Sequence, residues 1–406
     1  MRATSAFPTR IVWLDTVRLS AVVAVIVLHA AAAYTVLIPW WYVTPRQTAP
    51  IFDLLIVMQD GWVMPALFGI AGFFSLPSLG RRGSIGFLAG RLKRLGLPLV
   101  GLTIFFCPVI GYLERLNKGL TGTFWDYWLG LLPSLADWRL RVLTGQENLG
   151  TGNGLMGPYH LWFLALLLLM SFALVLGAGL VRSKGRLAKQ EGRHWLAWGV
   201  VCGMGLAEAW AQMRIPDAAW VRWGPFCVVQ LTRLPLYVGF FLLGLLAWRE
   251  EWFAVRWIPG PRWVWGLASL VTFVAMIIGG TAMGAPGVKP LWIPFSYGFA
   301  RTAFGLAATG FVLGVCGHRE HRAGRLTASL TRSSYDLYLL HMPLVVLVQY
   351  LLAATSVPLY AKFTLALVLP TGVSWGVSRL LAGRHKTWRP LAMAAAFGLC
   401  ILVWGA

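Results

Sequence analysis

The chain has 406 residues, of which 58% are hydrophobic and 12% charged, and its mean hydropathy is +0.68. A soluble domain is nearer about 45–50% apolar and about 25% charged, so composition excludes an ordinary soluble protein and leaves one that crosses a membrane several times. Thirty-five Lys and Arg against 14 Asp and Glu give a net charge of +21. Nucleic-acid binding is one reading of such basicity, but these cations sit in short segments between apolar runs and act as topology signals, so no nucleic-acid partner is expected. Cys107, Cys202, Cys227, Cys316 and Cys400 lie in or beside apolar runs without metal-ligand spacing. They read as packing residues, and no metal is expected.

The first span runs from Ile11 to Leu37, too long for the apolar core of a signal peptide and without a small-residue cleavage site, so it is expected to be retained. It carries Asp15 and Arg18 near one end and His29 deep inside. Arg18 and His29 are eleven residues apart, almost three helical turns, so they share a face and stand roughly 16 Å apart along the axis. An intramembrane ionisable group marks a functional site by default, although a structural histidine bonded to a neighbouring helix is the plainer reading.

A loop with Trp40, Trp41 and Tyr42 follows, which reads as an interfacial belt or as a sugar-stacking surface. The second span, about Asp53 to Leu76, ends Gly69-Ile-Ala-Gly-Phe-Phe-Ser75 and places Asp53 and Asp60 on one helix face. Arg81, Arg82, Arg91, Lys93 and Arg94 come next. They suit a cytoplasmic topology signal and equally a phosphate clamp. The third span is about Leu95 to Leu113, and Glu114 to Tyr159 is the longest polar stretch, expected to hold short surface or re-entrant helices. His160 opens the fourth span, followed by spans near Trp195–Gln212, Val228–Trp248, Trp263–Met283, Phe295–Cys316, Ser333–Leu352 and Phe363–Leu381. A last run, Pro390 to Ala406, is just long enough to cross. The expected fold is therefore an all-α polytopic transmembrane bundle of ten core helices with an eleventh at the C-terminus: one integral-membrane domain over 1–389 and an added helix over 390–406. With the N-terminus in the cytoplasm, 23 of the 35 Lys and Arg fall on the cytoplasmic side, as the positive-inside rule requires.

Five motifs in this order resemble one family. Leu14-Asp15-Thr-Val-Arg18 followed by His29 resembles the Arg-x10-His motif of membrane acyltransferase family 3. Gly69 to Ser75 resembles its Ser-Gly-Phe-Phe signature, with Ala71 where serine is usual, and includes Gly72 and Phe73. Arg91-Leu-Lys-Arg94 resembles its Arg-x-x-Arg motif, His160-Leu-Trp162-Phe-Leu its His-Leu-Trp-Phe-Leu, and Tyr335-Asp-Leu-Tyr-Leu-Leu-His341-Met-Pro343 its late Tyr…His-x-Pro helix. Within the family the chain looks closest to the glucan biosynthesis protein C group, inner-membrane succinyltransferases of periplasmic glucans.

The resemblance implies an O-acyltransferase of the bacterial inner membrane. The donor would be acyl-coenzyme A, as succinyl-CoA or acetyl-CoA, and the acceptor an extracytoplasmic polysaccharide such as a glucan. Its partners would then be acyl-CoA, the glycan and membrane lipids; oligomeric state is not readable from sequence. His29 would be the catalytic base and Arg18 would line the donor path or hold Asp15. Arg91 and Arg94 would meet the donor phosphates. His160, Trp162, Tyr335 and His341 would contact substrate or support the site, and Asp15, Gly72 and Phe73 would be supporting residues. A transporter or flippase is the rival reading, with Asp60, Glu208, Arg233, Arg301 and Asp336 as an ion or proton path.

Overall fold

The structure is a computed structural model, and it describes residues 11–38, 41–143, 154–182, 194–217, 219–253, 260–287, 289–317 and 324–380. The run 390–406, Trp40 and most of the glycine run at 150–154 lie outside the described residues. In chain order the helices are α1 (Val12–Ala32), α2 (Pro50–Asp60), α3 (Val63–Arg91), α4 (Leu97–Phe105), α5 (Pro108–Asn117), α6 (Phe124–Leu131), α7 (Trp162–Arg182), α8 (His194–Arg214), α9 (Leu234–Arg249), α10 (Arg262–Gly284), α11 (Trp292–Gly317), α12 (Arg325–Ala353) and α13 (Leu359–Leu380). Among the described residues, eight segments are long and apolar enough to cross a membrane. The expected all-α bundle is the fold observed.

Three departures from the expected elements have local causes. The second span is not one helix. It breaks at Gly61-Trp62 between α2 and α3, and α3 then runs well past Leu76 as far as Arg91. The basic run expected as a loop is therefore helical, with Gly83 at φ 67° inside it. Only glycine takes that conformation without strain. The kink reverses the chain: Arg91 and Ser75, sixteen residues and roughly 24 Å apart on a straight helix, lie 2.8 Å from each other. The third span is two helices in series, α4 and α5, divided before Pro108, whose ring cannot continue the hydrogen-bond ladder.

The third departure is a small antiparallel sheet of order β1-β2-β3, formed by Leu140–Leu143, Trp220–Trp223 and Cys227–Gln230. Leu140 pairs with Trp223, and Trp223 in turn with Cys227. The stretch Cys227–Gln230 is strand rather than the start of a span because Gly224, at φ 65°, turns β2 back on β3. The sheet lies beside the start of α7: Arg222 donates to the Met156 carbonyl at 2.6 Å, and Trp220 meets Trp162 edge-on at 6.1 Å.

Helix α3 packs on α9, α10 on α11, and α12 on both α1 and α13. The α3–α9 crossing is closest where glycines face backbone. A Cβ on Gly72 would strike the Phe241 carbonyl, and one on Gly244 the Gly69 carbonyl. Small residues let membrane helices approach to backbone contact, where dispersion and close packing replace the missing hydrophobic drive. Phe73, 1% exposed, then fills the space beyond the crossing against Phe74, Trp248 and Phe253.

Candidate active site

Helix α1 is continuous because no Gly or Pro interrupts Val12 to Ala32. The face it turns to α12 carries both Arg18 and His29. Arg18 Nε donates to Ser334 Oγ at 3.2 Å, its guanidinium reaches the Thr331 carbonyl at 3.4 Å, and it pairs with Asp15 at 3.0 Å. Eleven residues on, His29 Nδ1 lies 2.9 Å from His341 Nε2. Ser334 and His341 are seven apart on α12 and so share its face. Two helices thus present matching polar stripes, with a guanidinium at one end and paired imidazoles at the other.

The imidazole end is built by four segments. His341 is fully buried on α12, and its Nδ1 lies 3.1 and 2.8 Å from the Leu337 and Tyr338 carbonyls. His160 enters from the turn before α7, where Tyr159 has φ 46°, a strained conformation for a bulky residue. The ring of His160 meets that of His341 edge-on at 5.1 Å, and its Nε2 lies 3.1 Å from the Leu339 carbonyl. Tyr338 donates to the His160 carbonyl at 2.5 Å. Trp41, from the loop after α1, stacks on His29 with ring centres 6.0 Å apart. Gln349 accepts from the Trp41 indole at 2.9 Å and donates to the His29 and Ala30 carbonyls at 3.0 and 3.1 Å. Three histidines, from α1, the turn before α7, and α12, therefore converge. Trp162 stands apart from them, among Tyr237, Phe68 and Trp220.

The guanidinium end gathers the other motifs. Arg91 donates to Ser75 Oγ at 2.8 Å and lies over the Phe87 ring at 5.1 Å. The guanidiniums of Arg94 and Arg82 are close enough to act on it electrostatically. Neither Arg91 nor Arg94 has an ion pair among the described residues. Residues Leu92–Gly96 form a π-helical turn, a distortion frequent at functional sites. It presents the Arg94 carbonyl to Tyr335, whose hydroxyl donates to it at 2.5 Å while the Arg94 guanidinium covers the Tyr335 ring at 5.4 Å. Tyr335 is next to Ser334, the partner of Arg18. So Arg18, Arg91 and Arg94, from two separate motifs, are brought to one end of the α1–α12 seam, and Tyr335 belongs with them rather than with the histidines.

One family model, described as an acyltransferase domain of type 3, matches residues 11–379. The chain belongs to acyltransferase family 3. It is a multi-pass membrane acyltransferase. No curated protein and no solved structure gives a match. The membrane residues of the transporter reading take other parts in this acyltransferase. Arg301, 1% exposed on α11, donates to Glu208 at 2.5 Å and to Asp217 at 2.9 Å. Arg233 bridges Asp217 and Asp60. These five form one ion-pair cluster, and Asp336, outside it, accepts from Ser378 at 2.6 Å. Sequence reasoning gave Ser75 only as part of a signature and Trp41 only as a belt or sugar-stacking residue, and it assigned no role to Ser334 or Gln349. Ser334 had a signal, its heptad spacing from His341. Gln349 had none.

Proposed function

We propose that this acyltransferase moves a short acyl group, succinyl or acetyl, from cytoplasmic acyl-coenzyme A to a hydroxyl of an extracytoplasmic glycan, with a periplasmic glucan as the favoured acceptor. The observation that carries this reading is the α1–α12 seam. Three arginines stand at one end and a histidine cluster at the other, roughly 16 Å away by helical rise, a separation of the order of a pantetheine arm. Guanidinium forks suit phosphate oxygens, and Arg91 and Arg94, without ion pairs among the described residues, are the groups to receive them. The excess of Lys and Arg in the segments on that side, 23 of 35, supports a cytoplasmic arginine end and N-terminus, in keeping with a bacterial inner-membrane location.

In the reaction, His29 takes the proton of the acceptor hydroxyl as its oxygen attacks the thioester carbonyl carbon. The C–S bond then breaks, and the departing sulfur takes the proton back from His29 and leaves as the coenzyme A thiol, so atoms and charge balance and His29 ends neutral without an external reactant. His160, at the extracytoplasmic end, stands where the acceptor arrives. The reading is tested by calorimetry of acetyl-CoA and succinyl-CoA binding to the protein in lipid. Arg91→Ala and Arg94→Ala each should weaken binding about 10- to 100-fold, the range for a lost charged hydrogen bond. Binding unchanged in both variants, or no binding of any acyl-CoA to the wild type, would contradict it.

A further inference from the structure

We propose that His341 is a positioning residue that fixes the tautomer of His29, leaving His29 Nε2 as the bare nitrogen that takes the acceptor's proton. The role rests on the reading of His29 as the base. Two carbonyl oxygens, of Leu337 and Tyr338, face Nδ1 of His341 at 3.1 and 2.8 Å. A carbonyl oxygen only accepts, so Nδ1 carries a hydrogen. His341 is 0% exposed, and the titratable groups around it are His29, His160 and Tyr338. Among the described residues no carboxylate hydrogen-bonds to it. A second proton would therefore create a buried cation with no counter-ion, which costs far more than a neutral ring. The Nε2 of His341 is then a lone pair.

That lone pair lies 2.9 Å from Nδ1 of His29. Two bare nitrogens at that distance repel, so the hydrogen between them belongs to His29. A neutral imidazole with hydrogen on Nδ1 has Nε2 free to accept. The geometry agrees on the other edge of the ring. His29 Nε2 bonds to none of the described residues, and His29 is half-buried where His341 is sealed. Trp41 stacks on the ring, and Gln349, bonded to the Trp41 indole and to the His29 and Ala30 carbonyls, holds Trp41 and the local backbone together. The arrangement does with two neutral rings what an aspartate does for the histidine of a serine hydrolase triad, namely hold one tautomer and accept from the imidazolium as it forms. It does so without placing a carboxylate at membrane depth, where one would be costly.

The test uses the full-length protein in lipid with two substitutions at one position. Leucine at 341 cannot accept from His29 Nδ1, whereas the glutamine amide oxygen can. His341→Leu should lower kcat about 100-fold, within the usual contribution of a general base, with donor KM moved by less than about twofold. His341→Gln should recover most of that loss, to within about tenfold of wild type. Independently of turnover, nitrogen NMR of 15N-histidine protein, with His29→Ala to assign the signal, should show His29 with a pyridine-type Nε2 and a pyrrole-type Nδ1. That pattern should be kept in His341→Gln and mixed in His341→Leu. Hydrogen on Nε2 of His29 in the wild type, or Gln and Leu variants equally impaired, would overturn the role of His341 while leaving His29 as base. Full activity in His29→Ala would bring down the base reading and this role together.

Discussion

At the scale of single residues, Arg91 is oriented by one hydroxyl. Ser75 accepts its guanidinium at 2.8 Å and in turn donates to the Ala71 carbonyl at 2.6 Å. The glycine-phenylalanine signature on α3 and the paired-arginine motif are therefore one structural unit. Ser75→Ala should raise donor KM about three- to tenfold, the value of one modest hydrogen bond, with kcat little changed. Steady-state kinetics over a donor series checks this. A kcat loss with unchanged KM would separate Ser75 from donor binding. The placement of Arg18 and His29 on one face was legible from their spacing alone. The burial of His341 against His29 was not, because helical periodicity orders residues along one helix and says nothing of which helix faces it.

At the scale of elements, Gly83 decides whether the arginines meet the seam. The backbone there, φ 67° and ψ 176°, is a region that other residues enter at a cost of about 1–3 kcal/mol. Gly83→Ala should lower stability by that amount and weaken donor binding as well, since a straighter α3 carries Arg91 away from Ser75. Thermal unfolding and calorimetry on the same sample read both effects; a loss of stability without a loss of binding would show the kink to be irrelevant to the site. The kink was hidden in the sequence because the segment's charge suggested a loop, and glycine among arginines marks a turn in a loop as readily as in a helix. The apolar spans were legible because length and hydropathy decide them. The sheet was missed because strands of four residues carry too little pattern, and β3 merges into the apolar run of α9.

At the scale of the whole molecule, the ion cluster joins α2, α8, α9 and α11. Its members come from elements distant in sequence, with Arg301, Glu208 and Arg233 buried and Asp60 and Asp217 partly exposed, so their grouping could not be read from the chain. Arg301→Met should destabilise the protein by about 3–5 kcal/mol, because removing one partner strands a buried carboxylate; unfolding in denaturant measures it, and a loss under about 1 kcal/mol would contradict the cluster's role. The cluster also gives stability a pH dependence. Burial raises the Asp217 carboxyl, but Arg301 beside it and hydrogen bonds from Gln212, Arg301 and Thr232 outweigh that and hold it below the ordinary value. A carboxyl lowered by folding adds stability that is fully present above its unfolded value, about 3.9, and is lost as pH falls through the folded value. Melting temperature should therefore drop on acidification below about pH 4 in the wild type and drop less in Asp217→Asn, with equal drops speaking against the assignment.

The proposed function has His29, at the end of the seam away from the three arginines, as the base that transfers an acyl group from coenzyme A. The measurement that tests it most directly is thiol release from acetyl-CoA and succinyl-CoA by purified protein in lipid, with and without a β-glucan acceptor, in wild type and His29→Ala. The account predicts release that the glucan stimulates and that His29→Ala lowers by about 10²–10⁴-fold, the range of a general base. Release undiminished in His29→Ala would contradict it.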